Sequence, residues 1–303
     1  MALAKPITPH LWFDTQAREA AEFYVSVFPD SRIDSSTVLH DTPSGDCEML
    51  SFTLAGHPFM AISAGPVFTF NPSISFFVNF DPSRDPQARE RLDIAWAKLA
   101  EGGKVLMELG EYPFSKRYGW VQDRFGLSWQ LILTDPDGED RPPIMPAMLF
   151  TGEAYGKAEA AGAYWRNVFE DSRAGQLVRY GEGAAHDRAD AVMFSDFRLG
   201  PDWFVAMDSG YQHGFGFNEA VSFIVHCRDQ VEIDRYWAKL SAVPEAEQCG
   251  WCKDRFGVSW QISPLALDEV MTSGDRATID RVTQAFLPMK KLDVAAIERA
   301  TND

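Results

Sequence analysis

Short apolar runs and amphipathic helical patterns alternate along the first half of the chain. Positions 7–13 are mostly apolar and predict a strand. Positions 17–28 place Ala20 and Tyr24 on one face, which predicts a helix that Pro29 ends. Alternating segments then predict three further strands, at 32–39, 48–54 and 58–63.

The same pattern starts again at position 74. A strand is predicted at 74–80 and a helix at 87–100, which Gly102 and Gly103 close. Further strands are predicted near 104–108, 118–122 and 128–133. The first half of the chain is therefore predicted to hold two β-α-β-β-β modules in an α+β fold.

The second half repeats the first. Residues 119–130 read GWVQDRFGLSWQ and residues 250–261 read GWCKDRFGVSWQ, identical at nine of twelve positions. Residues 68–78, FTFNPSISFFV, match residues 215–225, FGFNEAVSFIV, and the order of matches is the same in both halves. We interpret the chain as a tandem duplication of one domain.

Composition divides the chain into four segments. A polar stretch rich in proline and glycine, TDPDGEDRPP, predicts an exposed linker after the first copy. After the second copy the spacing of apolar residues becomes helical, which predicts a tail that docks on its own domain or on a partner. The predicted boundaries are a first domain at 1–134, a linker at 135–143, a second domain at 144–264 and a helical tail at 265–303.

Charge and composition exclude some classes of partner. The formal net charge is −16, and no cluster of lysine and arginine could displace counterions from a nucleic acid. No apolar run is long enough to span a membrane, and the N-terminus has no signal-peptide pattern. With four cysteines, we expect a cytoplasmic protein with reduced thiols.

Several strings resemble a known family. ITPHLWF, FNPSISFFV, the two DRFG-x-SWQ strings and the tail MKKLDVAAIERA are similar to the PhnB-like branch of the glyoxalase, or vicinal oxygen chelate, superfamily. That branch is often labelled 3-demethylubiquinone-9 3-methyltransferase. The resemblance implies two tandem glyoxalase/bleomycin-resistance-like domains, in each of which paired βαβββ modules form a curved mixed sheet.

The resemblance also implies positions for metal ligands on the first and last strands of each module. His10 is the one strong ligand among them, and a firm site needs three or more histidine or carboxylate ligands. We therefore predict no firm metal site, with a divalent metal held by His10 in the first domain as the alternative. The positions are His10, Met60 or Ile62, Ser75 and Gln130 in the first copy, and Ala147, Ala206 or Met207, Ser222 and Gln261 in the second.

The methyltransferase label has no support among the motifs. S-adenosylmethionine is commonly held by a glycine-rich loop after a strand, and the nearest string, at 214–216, precedes a strand instead. Whether the chain is an enzyme therefore stays open.

The preferred hypothesis is a small-molecule site in the cup of the first domain. If the protein is an enzyme, the candidate catalytic residues are His10, Ser75 and Gln130: His10 would act as ligand or base, Ser75 would hydrogen-bond the substrate and Gln130 would orient it. The alternatives are a metal-dependent lyase or dioxygenase-type enzyme, a methyltransferase as labelled, and a structural protein whose cups are filled by its own side chains. The expected ligand-binding residues are Trp12, Phe68, Phe70, Asn71, Trp120, Ser222 and Gln261.

Two further features have structural interpretations. Asp123 and Asp254 are predicted to cap turns in which Gly126 and Gly257 supply positive φ. Cys249 and Cys252 are interpreted as chance spacing in a strand, because no helix follows them. Since single-domain relatives form side-by-side dimers, the two domains are expected to form such a pair within one chain, and a homodimer is a further expectation.

Overall fold

The computed structural model describes residues 2–273 and 275–302. The first copy forms two modules, with strands of alternating burial and helices that bury one alanine-rich face. Its elements are β1 (Thr8–Phe13), α1 (Ala17–Val27), β2 (Arg32–Thr42), β3 (Gly45–Leu54), β4 (His57–Ser63), β5 (Ile74–Phe80), α2 (Ala88–Ala100), β6 (Lys104–Tyr112), β7 (Ser115–Gln122) and β8 (Ser128–Leu133).

The second copy repeats this order and is followed by the tail, residues 265–302. Its elements are β9 (Ile144–Phe150), α3 (Ala158–Val168), β10 (Arg173–Arg179), β11 (Val192–Leu199), β12 (Asp202–Asp208), β13 (Val221–Cys227), α4 (Gln230–Leu240), β14 (Trp251–Lys253) and β15 (Ser259–Pro264). The tail helices are α5 (Leu265–Ser273), α6 (Arg276–Phe286) and α7 (Val294–Asn302). The predicted fold class, with its helical tail, is confirmed.

The two copies exchange modules. One mixed sheet has seven strands in the order β14-β15-β13-β1-β4-β3-β2, and the other has eight in the order β10-β11-β12-β9-β5-β8-β7-β6. In the first, His10 of β1 lies opposite Ser222 of β13; in the second, Ser75 of β5 lies opposite Ala147 of β9. We call these the seven-stranded and the eight-stranded sheet.

The expectation that the two modules of one copy share a sheet is therefore corrected. Because β5 and β13 carry nearly the same sequence, either strand offers β1 a suitable edge, and the repeated pattern alone does not select between them. The chain uses the cross-copy pairing twice. The predicted intramolecular pair of domains is thus an interlocked one.

The last module lacks one predicted strand. Between α4 and β14 the chain forms a short 3₁₀ helix, Pro244–Ala246, where the first copy has β6. The connecting segment 241–250 is shorter than its counterpart 101–114, too short for a second hairpin strand of the same length. In place of a strand, the connecting segment bonds to β14 at single points: the Ala242 N–H donates to the Lys253 carbonyl (2.9 Å), and Gln248 forms an isolated bridge with Trp251.

The repeated DRFG strings form the same buried turn twice. Asp254 accepts hydrogen bonds from the backbone N–H groups of Phe256 (2.8 Å) and Val258 (3.1 Å), and Gly257 has φ 92°. The other carboxylate oxygen of Asp254 accepts hydrogen bonds from the indole N–H groups of Trp165 (2.7 Å) and Trp260 (2.9 Å). Asp123 makes the same backbone contacts and accepts from Trp129. The structural interpretation of both aspartates is confirmed.

Candidate functional site

A cavity of about 610 Å³ lies in the curve of the seven-stranded sheet. Its floor comes from both copies: β1 to β4 of the first and β13 to β15 of the second. Residues of α5 and α6 in the tail line it from above. No single copy could build this cavity, because each supplies only one of the two modules.

His10 lies on the floor of the cavity. It is only 4% exposed, and its Nδ1 has no hydrogen-bond partner. Burial lowers the pKa of His10 to about 4, so the ring is neutral at neutral pH. A neutral imidazole has one donor and one acceptor nitrogen, and Nδ1 of His10 is itself buried.

Aromatic rings line the wall beside His10. Its ring centroid lies 5.5 Å from that of Trp251, edge to face. The Trp12 ring lies 6.2 Å from Trp251 and 5.2 Å from Phe68, and its Nε1 donates to the Gly65 carbonyl (2.8 Å). The indole N–H of Trp12 is therefore satisfied, which leaves its ring as an apolar wall.

Gln261 adds a polar group to this wall. Its Nε2 donates to Ser222 Oγ at 2.9 Å, which fixes the orientation of the side-chain amide. Within the described ranges, no group donates to its Oε1, so the amide oxygen is available as an acceptor. Ser222 itself is fully buried and acts through Gln261.

A charged cluster closes the other end of the cavity. His226 on β13 places Nε2 2.9 Å from the Thr8 hydroxyl and Nδ1 2.7 Å from Oδ2 of Asp268 on α5. The Nδ1 and Oδ2 atoms are in close contact, although their relative orientation is poor for a hydrogen bond. Lys5 lies 3.0 Å from the same oxygen. Burial opposes ionisation of Asp268, but His226 and Lys5 outweigh it and hold its pKa below the usual value.

Ser75, Gln130 and Trp120 lie in the other sheet. Gln130 donates through Nε2 to Ser75 Oγ (2.8 Å) and accepts from the Tyr118 hydroxyl. Trp120 donates to Ser128 Oγ (2.7 Å). The three residues assigned catalytic roles from the sequence are therefore not brought together, because the modules are exchanged: His10 is in one sheet, and Ser75 and Gln130 are in the other.

The concave face of the eight-stranded sheet is filled with its own side chains. The large residues there form one buried cluster, and polar groups that faced a ligand in our hypothesis instead bond to each other. The buried cluster consists of Phe77, Tyr118, Met145, Ala147, Leu149, Trp203, Val205 and Met207.

Two of the expected ligand-binding residues have structural contacts elsewhere. Phe70 is buried and packs on Phe13, with ring centroids 4.9 Å apart. Asn71 accepts from the N–H of Ser73 and donates through Nδ2 to the Gly216 carbonyl of the other copy (3.1 Å). Its repeat counterpart Asn218 donates to the Thr69 carbonyl (2.8 Å), so the two asparagines form reciprocal hydrogen bonds between the copies.

The cavity residues that were not predicted include Thr8, His226 and Asp268. Strand alternation places 222, 224 and 226 on one face, so the pattern could have identified His226 once Ser222 was assigned to a cup. The same holds for Thr8 beside His10. No pattern in the sequence indicates Asp268, because its position in the cavity depends on how the tail docks.

The cavity residues do not fit a firm metal site. The register sets Met60 beside His10, and Ser222 and Gln261 complete the four positions that the family resemblance implies. One imidazole, a thioether, an alcohol and an amide are a weak set of donors for a divalent ion. Among residues 2–273 and 275–302, no group of three or more His, Cys, Asp or Glu is placed to hold a metal.

The two cysteines of the C-x-x-C string do not form a pair. Cys249 is half-buried and lines the cavity, whereas Cys252 is fully buried in the core, and both are free thiols. Burial raises the pKa of both thiols. Neither is activated in the way that a redox thiol requires.

The fold defines a protein of the glyoxalase class, with paired modules around a cup. A family model described as 3-demethylubiquinone-9 3-methyltransferase matches residues 5–132 and 142–263, most of the chain. The chain belongs to this PhnB-like family. None of the curated proteins compared matches it.

The chain is also similar to several solved structures. A PhnB protein from Bacillus cereus is 38% identical over 43% of this chain and 100% of its own, with a TM-score of 0.38. A protein from Pseudomonas aeruginosa is 23% identical over 41% of this chain and 94% of its own, with a TM-score of 0.35. Glyoxalase I from Zea mays, 12% identical over 88% of this chain and 95% of its own with a TM-score of 0.52, shares the fold.

No helix in the described part of the chain combines the length and the hydropathy needed to cross a membrane.

Proposed function

We propose that the protein binds one uncharged, mostly apolar small molecule in the cavity of the seven-stranded sheet, without a strong metal site. The observation that carries this proposal is the buried, neutral His10 with an unpartnered Nδ1, set among aromatic rings in a cavity of about 610 Å³. Binding sites of this kind are largely apolar, with a few polar groups that fix orientation.

The charges around the cavity favour an uncharged ligand. Asp268 is matched by Lys5, and Glu219 is matched by Lys253 at 2.6 Å. A charged ligand group would lose its hydration, and the charges of Lys5, Asp268 and Glu219 are already paired, which makes its burial costly. Glu245 also lines the cavity, but it is exposed to solvent. A neutral ligand with one donor and one acceptor suits His10 and the Gln261 amide oxygen.

Catalysis by His10 is the less favoured interpretation. With a pKa of about 4, its imidazole is a weak base at neutral pH, so it is better suited to hydrogen bonding than to proton abstraction. The methyltransferase activity in the family's description requires a methyl donor, and no residue of the cavity suggests one. We therefore assign binding and no chemical step.

A fluorescent ligand tests this proposal. N-phenyl-1-naphthylamine is neutral and apolar and becomes bright in apolar surroundings, so titration should give one saturable site per chain. Replacing His10 by Ala should weaken binding about tenfold or more, through lost ring contacts and a lost hydrogen bond. The matched control is Ser75→Ala in the filled sheet, which should bind normally. Absence of saturable binding, or equal effects of both substitutions, would contradict the proposal.

A further inference from the structure

The tail stands in for the strand that the last module lacks. Backbone N–H groups of Cys249 and Gly250 donate to the carbonyls of Met289 and Lys290, both at 2.7 Å. In the eight-stranded sheet, the edge of β7 that corresponds to this position pairs with β6. The tail is therefore part of the edge of the cup and not an appendage.

The tail also forms the roof of the cavity. Its apolar side chains point toward the aromatic floor across the space in which a ligand would lie. The roof residues are Leu267, Met271, Phe286, Leu287 and Leu292.

The roof touches the modules of both copies. The Thr37 hydroxyl on β2 donates to the Met271 carbonyl at 2.7 Å. On the opposite side, Asp268 meets His226 of the second copy and Lys5 at the start of the first. We call Asp268 the latch, because it meets His226 and Lys5 only while α5 lies across the cavity.

We propose that the tail is a ligand-sensing lid, whose docking on the cup is thermodynamically coupled to occupancy of the cavity through the roof and the Asp268 latch. This inference rests on the proposed binding function. A molecule in the cavity contacts floor and roof together, so it binds the docked state and stabilises it. By reciprocity, docking of the tail favours the ligand, and occupancy changes how firmly α5 and α6 are held.

Hydrogen exchange of the full chain measures this coupling. With N-phenyl-1-naphthylamine at about 100 times its Kd, opening of the tail should become about 100-fold rarer, and α5 and α6 amides should exchange slower by that factor. Amides of α2, which covers the eight-stranded sheet, should change little.

Asp268→Asn tests the latch directly. In the ligand-free protein, this substitution should speed exchange of α5 and α6 amides by about fivefold, since it removes the charge that faces His226 and Lys5. The matched control is Asp93→Asn, which breaks the Arg117 ion pair (2.7 Å) on the other sheet and should leave tail exchange unchanged.

The outcomes separate the two proposals. If the probe binds but tail exchange does not slow, the lid inference is overturned and the binding site stands. If slowing is uniform across α2 and the tail, the ligand stabilises the fold globally and the lid inference is equally overturned. If the probe does not bind, the proposed function fails and the coupling fails with it.

Discussion

The two sheets of this protein place equivalent strands in the same order, apart from the additional edge strand β6, yet one encloses a cavity of about 610 Å³ whereas the described residues of the other fill its cup with a buried apolar cluster. The central strand shows the difference most clearly. In the seven-stranded sheet, β1 presents Thr8, His10 and Trp12 to the cup, all of which line the cavity. In the eight-stranded sheet, the equivalent strand β9 belongs to a buried apolar cluster. Its matching residues there are Met145, Ala147 and Leu149.

The strands beside the central strand also carry larger side chains in the eight-stranded sheet. Ile224 beside Gln261 in the open cup corresponds to Phe77 beside Gln130 in the filled one. The larger side chain leaves no room for a ligand. The Ser–Gln hydrogen bond is kept in both sheets, at 2.9 and 2.8 Å, which marks it as part of the scaffold rather than the site. Duplication thus produced two cups, of which one became core.

Copying large side chains of the filled cup into the cavity should have the largest effect, a loss of ligand affinity. Met49→Phe, Pro58→Trp and Ile224→Phe together copy Phe194, Trp203 and Phe77 into the cavity, so affinity for N-phenyl-1-naphthylamine should fall more than about a hundredfold. The control is Phe77→Ile in the other sheet, which should bind the probe as the parent does. Fluorescence titration measures both, and retained affinity in the triple variant would place the ligand elsewhere.

The repeated turns should differ in how much they stabilise the fold. Asp254 accepts from two indoles and Asp123 from one. Replacement by Asn sets an NH₂ donor against N–H donors, so Asp254→Asn should lower the free energy of unfolding by about 2–3 kcal/mol, and Asp123→Asn by less. The Tyr24 hydroxyl faces Asp123 where the second indole faces Asp254. Urea unfolding measures both losses, and equal losses would show that the second indole contributes no more than this hydroxyl.

Asp202 and His57 occupy equivalent positions at the starts of β12 and β4 and should respond oppositely to pH. Burial raises the pKa of Asp202 to about 7, although it accepts from the Ile7 N–H, and burial lowers the pKa of His57 to about 4. The folded state therefore keeps the proton of Asp202 between pH 3.8 and 7, and this group contributes a loss of stability as pH rises through that window.

Asp202→Asn should consequently stabilise the protein by about 2 kcal/mol at pH 8 and by little at pH 4, as measured by urea unfolding. Exposed Asp190→Asn serves as the control and should change neither value. An equal effect of Asp202→Asn at both pH values would mean that its carboxyl group is not held neutral by burial.

The effect of His10 on stability should appear only below about pH 6.5. Its folded pKa of about 4 lies below the ordinary histidine value of 6.5, so the unfolded state binds the proton first as pH falls. This group therefore lowers stability on acidification between pH 6.5 and 4, by up to about 1.4 kcal/mol per unit. His10→Gln should flatten the pH dependence of urea unfolding in that window. An unchanged slope would indicate that His10 is solvated.

The β-α-β-β-β modules could be predicted from the sequence, but which module shares a sheet with which could not. Periodicity and the repeated DRFG strings specify most strands, helices and turns locally, so the fold class could be predicted, although the strand expected between α4 and β14 does not form. The exchange of modules is decided by whether β1 pairs with β5 or with β13, and these strands read almost alike. For that reason His10 was grouped with Ser75 and Gln130 when its neighbours are Ser222 and Gln261. The role of Asp268 depends on tertiary docking, which local pattern does not encode.

The stoichiometry of ligand binding tests the central claim most directly. Two equivalent copies with one cup each would bind two molecules, whereas one open cup shared between the copies binds one. Titration of the full chain with N-phenyl-1-naphthylamine at a protein concentration well above Kd should saturate at one molecule per chain, and the triple cavity-filling variant should bind none. Saturation at two molecules per chain, or at one that the variant retains, would contradict a single shared site.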